Sequence, residues 1–234
     1  MSSIIHFSHV TKEYNLGAKK LLAADNISFS INEGEFVVIL GPSGAGKSTV
    51  LNLLGGMDSA TSGEIYVNGV NIAEYNDTQL TEYRAENVGF VFQFYNLIPT
   101  LTAFENVALI KNIVKAPLDA IEILNSVGLG EHLSKFPSQL SGGEQQRVSI
   151  ARAICKNPAM LLCDEPTGAL DSETGVVILS LLQNMCREKN KTVVIVTHNA
   201  ALADTADKVI RMKNGKVTDI VSNKTPLAIS EVNW

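Results

Sequence analysis

The chain has 234 residues, of which 45% are hydrophobic and 18% are charged, and its formal net charge is −5. This length suits one large domain or one domain with an inserted subdomain. The acidic balance disfavours a general nucleic-acid-binding surface. No apolar run approaches the roughly eighteen residues of a membrane span, and the N-terminal MSSIIHFSHV does not resemble a signal peptide. We therefore expect a cytoplasmic protein that needs a partner for any role at a membrane.

The first part of the chain is predicted to form strands around one helix. IIHFSHVTKEY and NISFSI alternate in polarity or are β-branched, and EFVVIL is a short apolar run typical of a buried strand. GPSGAGKS follows EFVVIL directly, and the next residues have helical spacing. Further on, Asn68 and Gly69 between two strand-like halves predict a hairpin.

The middle of the chain, from about residue 97 to residue 145, is predicted to be helical. Its apolar segments have helical spacing and are interrupted by Pro99, Pro117 and Pro137. Strand-like segments then return in AMLLCDEP and KTVVIVTH, followed by a second predicted hairpin around Asn214. Strands that alternate with helices predict an α/β fold with a mostly parallel sheet and an inserted helical subdomain.

The last residues, SNKTPLAISEVNW, carry no strong pattern. Chain ends are commonly loosely packed. We therefore expect this tail, including Trp234, to be peripheral.

GPSGAGKS, from Gly41 to Ser48, fits the phosphate-binding pattern G-x-x-x-x-G-K-[ST] at every fixed position. Glycines let the backbone turn several N–H groups toward one point, and the helix that follows adds its positive end. Lys47 is expected to reach the β- and γ-phosphates, the Ser48 hydroxyl to bind Mg²⁺, and Thr49 to lie near the α-phosphate. The loop's position between a buried strand and a helix makes a simple glycine-rich turn a poor alternative.

Asp164 and Glu165 end the apolar run MLLC. In phosphate-loop ATPases an aspartate at this place holds Mg²⁺, and the following glutamate is then placed to act as general base toward water. By itself, an Asp-Glu pair at a strand end more often means two solvated carboxylates. The apolar run before the pair and the phosphate loop upstream favour the catalytic interpretation.

His198 and Gln93 each follow a predicted strand, where ligands bind in α/β sheets. A histidine there can contact a γ-phosphate, and a glutamine can contact Mg²⁺ and water. Taken alone, the histidine is more often structural and the glutamine a loop residue.

LSGGEQQR, residues 140–147, places a serine and two glycines at the start of a predicted helix. Such a helix end exposes N–H groups that attract anions. The chain already has a complete phosphate loop, so this second site raises the question of whose phosphate it binds.

Together these segments resemble the nucleotide-binding subunit of an ABC transporter, over nearly the whole chain. GPSGAGKS resembles Walker A, MLLCDE resembles Walker B, and LSGGEQ is similar to the ABC signature. The resemblance also makes Gln93 the Q-loop residue, ALD with Asp171 the D-loop, His198 the switch histidine, and Tyr14 the aromatic residue that stacks on adenine. The nucleotide-binding residues it implies are Tyr14, Gly41, Ser43, Gly44, Ala45, Gly46, Lys47, Ser48, Thr49, Ser141, Gly142, Gly143, Gln145 and Asp171. The catalytic residues it implies are Glu165, His198 and Gln93, and the metal-binding residues are Ser48, Gln93 and Asp164.

The resemblance implies a single ABC ATPase domain over residues 1–234. A RecA-like core with a β subdomain takes residues 1–92 and 146–234, and the helical subdomain takes about 93–145. It further implies ATP and Mg²⁺ as cofactors, and a head-to-tail homodimer that closes around two ATP molecules. Ser141, Gly142 and Gly143 would then contact the γ-phosphate bound by the second copy, with Gln145 assisting at the same edge.

Membrane-spanning permease subunits, with or without an extracytoplasmic adaptor, are the implied partners, and nucleic acid is not one. The chain would then lie on the inner face of the cell membrane. Phe92, Phe94, Tyr95 and Leu97 suit a groove for a short helix of that partner, and equally suit an ordinary core.

FVFQFYNLIPTLTAFENV and DEPTGALDSETG are similar to the branch of macrolide-export (MacB), lipoprotein-release (LolD) and cell-division (FtsE) ATPases. This favours export of an antibiotic, peptide or lipoprotein. The alternatives are a soluble ABC ATPase acting on nucleic acid or ribosomes, and one that regulates cell-wall or division machinery. A regulator that only binds ATP is disfavoured by the intact Asp164, Glu165 and His198.

Overall fold

The computed structural model describes residues 3–17 and 19–232. Its strands form two sheets, one of four strands and one of six. Between and around the sheets lie six α-helices within the described residues, and several short 3₁₀ turns. The predicted fold class is confirmed: an α/β core with a mostly parallel sheet, an antiparallel N-terminal sheet and a helical region.

The N-terminal sheet is antiparallel and has the order β2-β1-β4-β5. Its strands are β1 (Ser3–Leu16), β2 (Lys19–Asn32), β4 (Ser62–Val67) and β5 (Val70–Asn71). The first hairpin prediction is confirmed, since Val67 pairs with Val70 across a turn in which Asn68 and Gly69 both have positive φ.

The central sheet has the order β10-β9-β3-β8-β7-β6. Its strands are β3 (Phe36–Leu40), β6 (Val88–Val91), β7 (Met160–Asp164), β8 (Thr192–Thr197), β9 (Lys208–Lys213) and β10 (Lys216–Ser222). The four pairings from β9 to β6 are parallel, and β9 with β10 forms the second predicted hairpin. Strands β3 and β8 are fully buried, as their continuous apolar runs predict. Strands β3, β7 and β8 therefore end at one edge of the sheet.

Helix α1 (Lys47–Leu54) follows β3 in the chain, and helix α2 (Asp77–Asn87) precedes β6. Helix α1 contributes buried Val50, Leu51 and Leu54 to the core between the two sheets. Helix α6 (Ser172–Lys189) packs its buried Ile178, Leu179 and Leu182 on the other face of the central sheet.

The helical region contains α3 (Ala103–Ala108), α4 (Ala120–Ser126) and α5 (Gly142–Cys155). It has a core of its own, to which Val107, Leu124 and Val148 contribute. Helix α5 also turns Ile150 and Ile154 toward the core of the central sheet. The predicted boundary between the helical subdomain and the core, between residues 145 and 146, therefore lies inside one continuous helix that packs on both cores. This division of the chain remains a prediction.

The tail is not peripheral along its whole length, so that prediction was wrong at Ile229. Ile229 is only 1% exposed and joins the core beside α6. The Gln183 amide of α6 donates to the Leu227 carbonyl at 3.0 Å and accepts from the Ile229 N–H at 3.2 Å. The buried side chain of Ile229 and the two hydrogen bonds of Gln183 together hold this short segment against α6. Trp234 lies outside the described residues.

Within residues 3–17 and 19–232, no helix is both long enough and apolar enough to span a bilayer.

Candidate nucleotide-binding and hydrolysis site

The phosphate loop lies between the end of β3 and the start of α1, as its sequence predicts. Gly44 and Gly46 have φ of 77° and 95°, a region that other residues rarely adopt. A Cβ at Gly46 would lie 2.2 Å from the Ala23 carbonyl oxygen. This glycine therefore serves both the backbone turn and a close approach to β2.

The side chain of Lys47 is folded into its own loop. Its residue is only 7% exposed, and Nζ donates to the carbonyl oxygens of Gly41 at 2.8 Å and Pro42 at 3.1 Å. The ammonium group is thus held at the loop by neutral acceptors, which phosphate oxygens can replace with a gain in charge attraction.

A cavity of about 460 Å³ opens beside the loop. The predicted residues that line it are Tyr14, Gly44, Ala45, Gly46, Lys47, Ser48 and Thr49, and the others are Leu21, Leu22, Ala23, Asn214 and Gly215. Ser43 and Gly41 are not part of this lining; Gly41 lines a neighbouring cavity of about 440 Å³ together with His198. The cavity has a phosphate loop at one end and an aromatic ring with two leucines in its wall, an arrangement that suits a nucleotide.

Tyr14 is half-buried in the cavity wall, and its hydroxyl donates to Asp58 Oδ2 at 2.6 Å. Burial, and then the hydrogen bond to Asp58 and its negative charge, raise the pKa of Tyr14, while a hydrogen bond with Thr49 acts in the opposite direction. The phenol therefore stays protonated at neutral pH and remains a donor to Asp58.

Ser48 and Asp164 meet beside the loop, as the sequence predicts for two metal-binding groups. The Ser48 hydroxyl donates to Asp164 Oδ1 at 3.2 Å. Partial burial is the main cause that raises the pKa of Asp164, and the hydrogen bond from Ser48 partly offsets it. The Glu165 charge raises the same pKa and the Lys47 charge lowers it. A carboxylate in this setting is short of positive charge, which a bound cation would supply.

Glu165 is held in place from strand β8, next to its own strand β7. Its carboxylate accepts from the Thr197 hydroxyl at 2.9 Å and from the His198 N–H at 3.0 Å, and it lies 2.8 Å from His198 Nδ1. Its φ is 45°, an unusual value for a glutamate, and its N–H still donates to the Val196 carbonyl. The backbone bend after Asp164 lets two adjacent residues serve one edge of the sheet.

Gln93 follows β6 as an exposed residue and approaches the turn after Glu165. A Cβ at Gly168 would lie 3.2 Å from Gln93 Nε2, and the Gly168 N–H donates to the Glu165 carbonyl at 3.0 Å. Gln93 is therefore beside the segment that carries Glu165.

The signature segment lies at the start of helix α5, outside the cavity beside the phosphate loop. Ser141 caps the helix through its hydroxyl, which accepts from the Glu144 N–H at 3.3 Å, and Glu144 in turn accepts from the Ser141 N–H at 2.6 Å. The Gln145 amide donates to the Leu140 carbonyl at 3.1 Å. Within the described part of the chain, none of residues 141–145 lines the 460 Å³ cavity. The signature and the phosphate loop do not form one pocket within a single chain.

The signature helix packs directly on the segment that carries Asp171. A Cβ at Gly143 would lie 2.4 Å from Thr174 Cγ2. Asp171 is exposed and caps α6, accepting from the Thr174 N–H at 2.9 Å and from its hydroxyl at 2.8 Å. These hydrogen bonds lower the pKa of Asp171, the bond from the N–H most, so it is ionised at neutral pH.

Sequence reasoning missed several residues that hold the site together. Gln146 is fully buried, and its amide Nε2 donates to the Pro166 carbonyl at 2.8 Å and lies 3.4 Å from that of Phe92. Thr197 orients Glu165, and Asp58 holds Tyr14. No short sequence pattern marks these three residues, because their roles depend on contacts with residues far away in the chain. Thr197 and Gln146 each stand beside a predicted site residue in the sequence, His198 and Gln145.

A parallel sheet with a phosphate loop, a paired serine and aspartate, and a glutamate at the sheet edge defines a phosphate-loop ATPase. The family model described as ABC transporter matches residues 24–168. The chain belongs to the ABC transporter ATP-binding family and is an ABC ATPase domain that binds ATP.

Some relatives match this chain over nearly their whole length, and in others the match covers only part of a longer protein. The uncharacterized ABC transporter ATP-binding protein MJ0796 of Methanocaldococcus jannaschii is 45% identical over 223 residues, 92% of this chain and 95% of that protein. The macrolide export ATP-binding/permease protein MacB of Rhodopirellula baltica is 40% identical over 94% of this chain and 33% of that protein. These relatives are consistent with the macrolide-export and lipoprotein-release branch.

A similar solved structure is the dimeric post-hydrolysis state of MJ0796 bound to ADP and Pi. It has a TM-score of 0.87 and 42% sequence identity, and the match covers 94% of this chain and 99% of that one. A second dimeric structure of MJ0796 also has a TM-score of 0.87, with 43% identity.

Proposed function

We propose that this ATP-binding subunit hydrolyses ATP to drive conformational change in separate membrane subunits. The carrying observation is the placement of Glu165: Thr197 at the end of β8 and His198 directly after it hold its carboxylate, and the neighbouring Asp164 accepts a hydrogen bond from the Ser48 hydroxyl of the phosphate-loop helix. Glu165 acts as general base toward the attacking water, while His198 contacts the γ-phosphate. Gln93, beside the Glu165 segment, orients water and metal.

The phosphate loop holds the triphosphate and Tyr14 stacks on the base. Lys47 exchanges the carbonyls of Gly41 and Pro42 for the β- and γ-phosphates, and Thr49 lies near the α-phosphate. The remaining loop residues in this role are Gly41, Ser43, Gly44, Ala45, Gly46 and Ser48.

The donor atoms beside the loop suit Mg²⁺. Hydroxyl and carboxylate oxygens are the ligands that Mg²⁺ prefers, and it usually keeps phosphate oxygens and water as further ligands. Ser48 and Asp164 supply such oxygens. Partial burial raises the pKa of Asp164, and a cation beside it would stabilise its ionised form. Gln93 is the third proposed ligand. When bound, Mg²⁺ neutralises charge that develops on the β- and γ-phosphate oxygens.

Two copies of the chain pair head to tail around two ATP molecules. The support is that Ser141, Gly142 and Gly143 present a helix N-terminus outside the cavity of their own chain. Such an end favours an anion. Gln145 lies in the first turn of the same helix, and Asp171 caps α6 through Thr174, which contacts Gly143. The MJ0796 structures are dimers by their own descriptions.

Membrane-spanning permease subunits, with or without an extracytoplasmic adaptor, receive the movement at the inner face of the cell membrane. Phe94 is 74% exposed, the largest exposure among the exposed large hydrophobic residues of the described chain. Phe92 instead stacks on Phe90 at 5.0 Å, and Leu97 packs on the helical core. Among Phe92, Phe94 and Leu97, Phe94 is therefore the one best placed to contact a partner. The helical subdomain, about residues 93–145, carries the contact to the core.

Export of an antibiotic, peptide or lipoprotein is the proposed transport activity, because the MacB relative is an export protein by name. An ABC ATPase that regulates cell-wall or division machinery is the second candidate, favoured by the same similarity to the branch. A soluble ATPase acting on nucleic acid has less support, since the net charge is −5.

The test combines ATP hydrolysis with the identity of the partner. Phosphate release is measured from the purified chain and from the complex that co-purifies with it from membranes. We expect hydrolysis that requires ATP and Mg²⁺, and a co-purifying membrane subunit. Absence of hydrolysis in both preparations would contradict the enzymatic role, and stable binding to nucleic acid at physiological salt would favour the soluble alternative.

A further inference from the structure

An ion-pair network lies behind the aromatic ring of the nucleotide cavity. Tyr14 donates its hydroxyl to Asp58 Oδ2 at 2.6 Å, and Lys12 Nζ donates to Asp58 Oδ1 at 2.5 Å. Lys12 also donates to the Ser59 carbonyl at 2.7 Å. The side chains of Lys12 and Asp58 are 13% and 27% exposed, so this pair is better shielded than an ordinary surface ion pair.

Lys12 covers one side of the ring. Its Nζ lies over the Tyr14 ring, 5.0 Å from the centroid, within the range of a cation–π contact. Tyr14 lines the cavity and Lys12 does not. One face of the ring is therefore occupied by the ammonium group, which leaves the cavity side for a base.

Asp58 connects the ring to the phosphate-loop helix. The N–H groups of Met57 and Asp58 both donate to the carbonyl of Asn52, which lies in α1. Helix α1 begins at Lys47, so the residue that holds the ring is attached to the helix that holds the phosphates. The distance between the base and phosphate ends of the cavity is thereby fixed through Asp58.

The charge of Asp58 is maintained by its donors. Burial alone would raise the pKa of Asp58, but the hydrogen bonds from Lys12, Tyr14 and the Ser59 N–H, together with the Lys12 charge, outweigh it, and the pKa lies below its ordinary value. A carboxylate that stays ionised makes the stronger, charge-assisted bond to the phenol.

We propose that Asp58 and Lys12 are positioning residues for nucleotide binding, which hold the Tyr14 ring in the orientation that stacks on the base and set its distance from the phosphate loop. This inference rests on the proposed role of Tyr14 as the base-stacking residue. Asp58 and Lys12 act through Tyr14 and touch neither the base nor the phosphates.

The test compares ATP with inorganic tripolyphosphate, which has the phosphates but no base. Dissociation constants of both are measured by titration of the full-length chain carrying Tyr14→Phe, Asp58→Ala or both changes. Each single change is expected to weaken ATP binding by about threefold to tenfold, the range of one ordinary hydrogen bond, because the lost bond acts on ATP only through the ring. The double variant is expected to bind ATP no more weakly than the weaker single variant, because both changes remove the same bond. Tripolyphosphate binding is expected to stay unchanged.

A control variant tests whether the effects are specific to this network. Glu86→Ala removes the partner of Lys115 in a remote ion pair of 2.7 Å and should leave both dissociation constants unchanged.

The other outcomes separate positioning from stacking and from folding. Equal losses for ATP and tripolyphosphate, or additive effects in the double variant, would overturn the positioning role. If Tyr14→Ala weakens ATP binding but Tyr14→Phe and Asp58→Ala do not, the ring still stacks and only the positioning role fails. If Tyr14→Ala leaves ATP binding unchanged, both the stacking role of Tyr14 and the positioning role of Asp58 and Lys12 are overturned. Thermal midpoints show whether each variant is folded.

Discussion

The Glu165 carboxylate accepts the backbone N–H of His198 at 3.0 Å and lies 2.8 Å from the imidazole Nδ1 of the same residue. The two residues directly follow the neighbouring parallel strands β7 and β8, and the Thr197 hydroxyl donates to the other carboxylate oxygen at 2.9 Å. The proposed general base is thus held by contacts within one chain.

Glu165→Gln should bind ATP normally and hydrolyse it about 10²–10⁴-fold more slowly, because the amide keeps the shape but cannot accept a proton. The variant should accumulate as a dimer in ATP, seen by size-exclusion chromatography, while phosphate release measures turnover. Glu188→Gln, an exposed carboxylate of α6, is the matched control. Turnover near that of the unmodified protein would remove Glu165 from this role.

Lys47→Ala should weaken ATP binding by about tenfold to a hundredfold, since hydrogen bonds to charged groups contribute about 1.5–3 kcal/mol. The lost bonds to Gly41 and Pro42 carbonyls also leave the loop less ordered in the free protein. Nucleotide titration measures the affinity, with exposed Lys189→Ala as control. An unchanged dissociation constant would show that the ammonium group does not meet the phosphates.

Ser141→Arg should leave ATP binding intact and abolish turnover, because its side chain would block the γ-phosphate of the second copy. Loss of the helix cap alone costs about 1 kcal/mol, so Ser141→Asp is the matched variant. Aspartate keeps the cap but repels phosphate, and it should also stop turnover. If Ser141→Asp retains full activity, the signature does not contact the phosphate.

A mixed dimer tests whether the sites are shared. One copy carries Lys47→Ala and the other carries Ser141→Arg, with different affinity tags for sequential purification. One site then has both changes and the other has neither. If each variant alone is inactive, activity in the mixed dimer would show that each site is built from both copies. Absence of activity would mean either that each site lies within one chain or that hydrolysis at one site strictly requires the other.

Lys156 should make stability rise with pH in the alkaline range. Its Nζ donates to the carbonyls of Arg84 and Val88 at 2.7 Å, and burial, with a smaller contribution from Arg84, lowers its pKa from 10.5 to about 8. Between these values the unfolded chain binds the proton and the folded chain does not, so unfolding becomes less favourable as the pH rises. Thermal midpoints of Lys156→Met should lack this rise, whereas exposed Lys224→Met should keep it. Parallel curves for Lys156→Met and the unmodified protein would contradict the shift.

The sequence predicted the phosphate loop, the carboxylate pair and both hairpins because each is a local pattern of turn and strand residues. It could not predict the contact between Tyr14 and Asp58, which are 44 residues apart, or the one between Gln146 and Pro166. Such contacts depend on how the sheets and helices pack, and no spacing rule encodes them. The tail was misjudged for a related reason, since the burial of Ile229 depends on a gap beside α6 that only the packed structure reveals.

Gln146 shows how little material separates the two roles that one chain plays in the proposed dimer. Its helix begins at the signature, which in that dimer would meet the ATP of the other copy. Its buried amide donates to the Pro166 carbonyl at 2.8 Å and lies 3.4 Å from the Phe92 carbonyl, next to the proposed catalytic residues Glu165 and Gln93. The segments proposed to meet two different ATP molecules are therefore joined by a direct side-chain contact, in addition to the packing of the same helix on the central sheet.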